Sequence, residues 1–85
     1  MLNKTAIMSQ QHYAQRALQL LQDNHTDPSS LMIRLQQSPS ITQSFLDETT
    51  QTRWNYIIRR RSRLFLLAKS DDSAKYIEIY SMSTK

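Results

Sequence analysis

A chain of 85 residues with 39% hydrophobic residues has the length of one small domain with a thin core, which a homodimer would enlarge. Glycine and cysteine are both absent. This excludes phosphate-cradling and dinucleotide-binding glycine loops, disulfide frameworks, thiolate nucleophiles and cysteine-based zinc sites. The net charge of +4 leaves a polyanion as the natural partner class.

The longest apolar run, Leu64-Phe65-Leu66-Leu67-Ala68, is far short of the roughly 20 residues that span a bilayer, so no membrane partner is expected. Residues 1–8 carry one lysine and no sustained apolar stretch, unlike a secretory signal. A cytoplasmic protein of bacterial or phage type is the expectation.

A first helix is expected from Gln10 to Asp23, with Ser9 as N-cap. Tyr13, Ala14, Ala17, Leu18 and Leu21 repeat at helical spacing, and glutamines cover the other side. Asn24 is the expected C-terminal cap in left-handed geometry. Asp27-Pro28 marks a second start, aspartate capping and proline in the first turn. Leu31, Met32 and Leu35 form the inner stripe of this helix of about ten residues, which Pro39 ends.

Ser40-Ile41-Thr42-Gln43 fits a capping box, after which Ile41, Phe45 and Leu46 would face inward. Thr49-Thr50-Gln51-Thr52 is a poor helix interior because its β-branched residues lose rotamer freedom. Helical spacing resumes with Trp54, Ile57 and Ile58. The expectation is two helices broken near residues 49–51, with one unbroken helix over 41–61 as the other option.

From Leu64 the period changes to that of a strand. Leu64 to Lys69 is a compact β run, Ser70-Asp71-Asp72-Ser73 a turn cluster, and Tyr76 to Met82 alternates. The expected organisation is a single α+β domain over 1–85. A tail (1–8) precedes a three- or four-helix region (9–63), which leads into a C-terminal β-hairpin (64–82) and a frayed end (83–85).

The charge is concentrated. Residues 1–52 have a net charge of −1 and residues 64–85 of zero, while Arg53, Arg59, Arg60, Arg61 and Arg63 share an eleven-residue segment without an acid. Arginine forks onto phosphate and onto the guanine edge. One or two cations suit a helix end, where the dipole favours them, but five exceed that account.

The order of elements, with Ile41-Thr42-Gln43-Ser44-Phe45-Leu46 as an opening and Ile57-Ile58-Arg59-Arg60-Arg61 as an ending, resembles the winged helix-turn-helix domains of bacterial and phage regulators. The small residue and the glycine usual in that motif are replaced by Asp47 and Gln51. The resemblance implies a small DNA-binding transcriptional regulator whose recognition helix, residues 50–63, enters the major groove beside a hairpin wing. On helical geometry Thr52, Arg53, Asn55, Tyr56, Arg59 and Arg60 would then face DNA. Arg61 and Arg63 would touch backbone phosphate, and Lys69 and Lys75 would flank the wing turn, although Asp71 and Asp72 at its tip oppose deep insertion.

Other chemistry has little footing. His12 and His25 bring no converging ligands for a metal, Asp71-Asp72 is a solvated turn, and no serine lies in a nucleophile motif. No enzyme, cofactor or metal is expected. The alternative function is a small adaptor or inhibitor, of a phage-encoded kind, that sets the arginines against an acidic protein partner. RNA binding is a third option if Tyr76 and Tyr80 lie on an open sheet face.

Overall fold

The computed structural model describes residues 10–26 and 28–83. It is an α+β fold of two short helices and a four-stranded antiparallel sheet. In chain order these are α1 (Gln10–Asp23), α2 (Pro28–Leu35), β1 (Ser40–Asp47), β2 (Thr52–Arg60), β3 (Arg63–Ser70) and β4 (Ile77–Ser83). The strands form a meander in the order β1-β2-β3-β4, each pairing with its neighbours in sequence. Both helices pack on one face of the sheet.

The α1 helix has the limits expected from its apolar spacing, with Ala17, Leu20 and Leu21 buried. Its C-terminus closes one residue later than expected. His25 rather than Asn24 takes the left-handed conformation, at φ 59°. His25 N then donates to Gln22 O and Thr26 N to Leu21 O, both at 3.0 Å, the reciprocal pair of a Schellman motif. Asn24 caps differently, through Nδ2 donating to Leu20 O at 2.8 Å. The α2 helix starts at Pro28 as expected and ends at Leu35, with Leu31 and Leu35 buried and Ile33 exposed. The expected caps Ser9 and Asp27, the N-terminal tail and the last two residues lie outside the described residues.

The segment 40–63 corrects the helical reading. It is not a pair of helices, and the fold is not a three- or four-helix domain with a wing. Residues 40–47 and 52–60 are antiparallel strands in the register Ile41↔Ile58, Gln43↔Tyr56 and Phe45↔Trp54. The reason is period. Trp54, Tyr56 and Ile58 point to the helices and are buried, whereas Ile57 points the other way. Spacing of three and four residues across Trp54, Ile57 and Ile58 therefore mixes two faces of a strand. The chain between the strands is rich in threonine, as a turn tolerates and a helix does not. Gln51, at φ 58°, supplies the left-handed residue, and its Nε2 donates to Glu48 O at 2.9 Å. The C-terminal strands fall where expected within a residue or so, but as half of a sheet rather than a wing.

The core lies between sheet and helices. Trp54, Tyr56, Ile58, Leu64, Leu66 and Ala68 from the two central strands meet Ala17, Leu20, Leu21, Leu31 and Leu35. The Tyr13 ring tilts against Trp54 with centroids 4.7 Å apart, and Phe45 meets Tyr56 edge-on at 5.8 Å. Such pairs add about 0.5–1.5 kcal/mol beyond area burial. Opposite Leu66 and Leu67, β4 carries a bulge that inserts Ile79 into the ladder, so Ile79 and Tyr80 both pack on the core.

Buried polar groups tie the layers together. Tyr56 Oη donates to Ala17 O at 2.8 Å. Tyr13 Oη donates to Ser70 Oγ at 2.9 Å and accepts from Ser70 N at 2.7 Å. Gln43, on the inner face of β1, has its side-chain amide 2.7 Å from both terminal nitrogens of Arg34 on α2, and with the amide oxygen turned to them it accepts from both. No described helix is long and apolar enough to cross a membrane.

Candidate functional site

The alternation of the strands settles where each candidate side chain points. The helix-facing set on β2 is Thr52, Trp54, Tyr56, Ile58 and Arg60; the open-face set is Arg53, Asn55, Ile57 and Arg59. On β3 the open face carries Arg63, Phe65, Leu67 and Lys69. Thr42, Ser44 and Leu46 from β1 and Glu78 and Ser81 from β4 complete it. Neither helix packs on this face.

Tyr56 and Thr52 point to the helix side of the sheet. Tyr56 is 1% exposed and holds the α1 backbone, so it faces no ligand. Burial, with the nearby Asp47 charge adding to it, pushes its hydroxyl well above the ordinary tyrosine value. Thr52 lies on the inner face at the turn, its Oγ1 donating to Thr50 O at 3.4 Å. Tyr80 likewise packs on the core, and Tyr76 is exposed in the β3–β4 turn. The tyrosines therefore form no open-face platform. Phe65, which no sequence signal singled out, is the aromatic ring on that face.

The cations sort by the end of the sheet at which they lie. The tight β2–β3 turn brings Arg59, Arg60, Arg61 and Arg63 together at one end. Arg61 N donates to Arg63 O at 3.0 Å across the turn, and Arg60 N to Pro39 O at 3.0 Å. Arg59 and Arg63 point to the open face, Arg60 to the helix side, and Arg61 sits in the turn. Arg63 Nε donates to Ser81 Oγ at 2.9 Å, a neutral partner. Arg53 is separate, six residues down β2 and so about 20 Å away.

At the opposite end, where β1 meets β2 and β3 meets β4, lie Asp47, Glu48, Asp71 and Asp72. Arg16 from α1 forks onto Asp47, Nε to Oδ2 at 2.8 Å and Nη2 to Oδ1 at 2.6 Å. Asp47 is 2% exposed. The Arg16 hydrogen bonds hold its carboxyl below the usual aspartate value against the opposing effect of burial, and Thr49 N adds a bond at 3.1 Å. Arg53 Nη1 donates to Ser44 Oγ at 3.0 Å and Asn55 Nδ2 to Asp71 Oδ1 at 3.1 Å. Lys69 Nζ turns back to Ser70 O and Ser73 O at 3.3 and 3.1 Å, with Tyr76 6.0 Å below it. Lys75 is exposed in the same turn.

Arg16–Asp47 is an ion pair that joins the first helix to the sheet. A groove of about 380 Å³ beside it is lined by Leu20, Asp23, Asn24, Leu46, Glu48 and Thr49. Its polar floor is committed to that pair. No group of three His, Asp or Glu side chains among the described residues is placed to hold a metal ion.

No family model and no curated protein matches the sequence, and no solved structure matches the fold.

Proposed function

We propose that this protein binds nucleic acid through the arginine end of its sheet. The observation that carries the reading is electrostatic. Apart from Arg59, Arg60, Arg61 and Arg63 the chain is neutral, so its whole net charge of +4 equals that of four side chains around one turn. Asp47, Glu48, Asp71 and Asp72 lie at the other end of the strands. Arg59, Arg60 and Arg63 meet no carboxylate of the described residues. Guanidinium groups concentrated in this way attract and orient a phosphate backbone.

The mode differs from that of a helix-turn-helix protein, since these arginines lie on two strands and the turn between them rather than on a helix. Affinity comes chiefly from arginine–phosphate contacts. DNA and RNA both present that backbone.

Fluorescence anisotropy with labelled oligonucleotides tests the proposal. Binding at low salt should fall with a log–log salt slope of about −2 to −3, as three or four neutralised phosphates require. Replacing Arg59, Arg60, Arg61 and Arg63 with glutamine should abolish it. A salt-independent affinity, or equal binding by that variant, overturns the proposal. So does a single stoichiometric protein partner that survives nuclease treatment of a lysate while purified nucleic acid fails to bind.

A further inference from the structure

We infer that the ligand is single-stranded RNA, laid across the uncovered face of the sheet from the arginine end, with a base stacked on Phe65. The inference rests on the proposed nucleic-acid binding and adds the form of the ligand and its path.

Geometry disfavours the duplex. A major groove about 12 Å wide admits a helix or a two-stranded ribbon. Here β2 and β3 do not stand free as a ribbon. β1 runs beside β2 as far as Ser40↔Arg59, and β4 runs beside β3 as far as Arg63↔Ser83. Four strands spaced about 4.8 Å apart, with their side chains, are too broad for that groove.

The open face suits an unpaired strand instead. Phe65 sits in a central strand directly opposite Arg59 across β2–β3 and Ser81 across β3–β4. Ile57 and Leu67 are cross-strand partners on the same face and continue an apolar strip from the ring. Cations lie at both ends of that strip, Arg59 and Arg63 at one and Arg53 and Lys69 at the other. Glu78 on the edge strand and Asp71 at the far turn are the carboxylates nearest this path. Phe65 is half-buried, with one side of its ring on the uncovered face, and a ring so placed between phosphate-binding groups can accept an unstacked base.

Hydroxyl and amide groups of Thr42, Ser44, Asn55 and Ser81 border the strip. Beside the bonds they already make, Ser44 and Ser81 keep a hydroxyl hydrogen to donate and Asn55 a carbonyl oxygen to accept, the two functions that a ribose 2′-hydroxyl answers. That complementarity favours RNA over DNA.

The test compares a labelled single strand of RNA of about 12 nucleotides with DNA of the same sequence and with the RNA duplex. The wild-type protein should bind the RNA strand tightest. Phe65→Leu keeps an apolar strand residue and removes the ring, and it should weaken that binding about 10-fold. Phe65→Tyr should restore it. Equal or tighter binding of DNA overturns the assignment to RNA. Preference for the duplex, or indifference to Phe65→Leu while the arginine variants still lose affinity, overturns this inference and leaves the arginine site standing. Absence of binding to all three probes at low salt overturns both.

Discussion

The two ends of the sheet handle charge in opposite ways. At the end of the β1–β2 and β3–β4 turns, polar groups are matched internally: Arg16 with Asp47, Asn55 with Asp71, Arg53 with Ser44, and Lys69 with turn carbonyls. At the β2–β3 turn four arginines crowd together with no acid in the segment that carries them. Matched charge can hold a fold together; Arg59, Arg60 and Arg63 meet no carboxylate of the described residues, and crowded like charge of that kind costs stability. The first end therefore serves architecture first, its open-face groups only bordering the proposed ligand path, and the second is where the proposed binding is anchored.

The largest expected effect separates the ends by function. Glutamine at all four β2–β3 arginines should abolish nucleic-acid binding while thermal stability holds or rises slightly, because repulsion is relieved. For the wild type, raising salt from 50 to 200 mM should weaken binding roughly 15- to 60-fold. Anisotropy and a thermal melt on the same samples check both statements.

The next effect belongs to the matched end. Arg16→Met strands the Asp47 carboxylate inside the protein. Removing one member of a buried pair costs about 3–5 kcal/mol. The Arg16 side chain is 38% exposed, so water offsets part of the loss and the expected cost is about 2 kcal/mol. Urea unfolding reads it, and nucleic-acid affinity at temperatures below the melt should not change.

That pair also sets an acid limit. The Asp47 carboxyl titrates lower in the folded chain than in the unfolded one. Its stabilisation is complete above the unfolded value, near pH 4, and is lost as pH falls through the lower folded value. Asp47→Asn should remove this part of the pH dependence, visible in stability measured from pH 6 down to about pH 2.

The smallest effect concerns backbone geometry. His25 occupies a left-handed position that glycine takes without steric cost. His25→Gly should raise stability by up to about 1 kcal/mol without altering binding. A loss of stability would mean that the imidazole itself contributes more than the strain it causes.

The helices were legible because each has one apolar stripe, and because Pro28 and Pro39 bracket the second. The β3–β4 pair was legible through its polar turn cluster. β1 and β2 were not, because β2 has apolar residues on both faces and Ile57 completes a false helical stripe with Trp54 and Ile58. The period-two set Trp54, Tyr56 and Ile58 was present in the same residues, and the β-branched and aromatic enrichment over 41–58 favoured it. The Arg61-Ser62 turn gave no warning, having neither glycine, proline nor asparagine. The arginine cluster was visible in composition, yet only strand geometry sends Arg60 inward, carries Arg53 to the far end and sets the half-buried Phe65 on the open face.

The meander has a consequence for how the chain assembles. Each strand pairs only with its immediate neighbours in sequence, so the hairpins close short loops and can zip one after another. The Tyr13 bonds to Ser70 instead join residues 57 positions apart. Closing that long loop is the entropically expensive event, and docking of the first helix onto a preformed sheet is therefore the natural late step of folding.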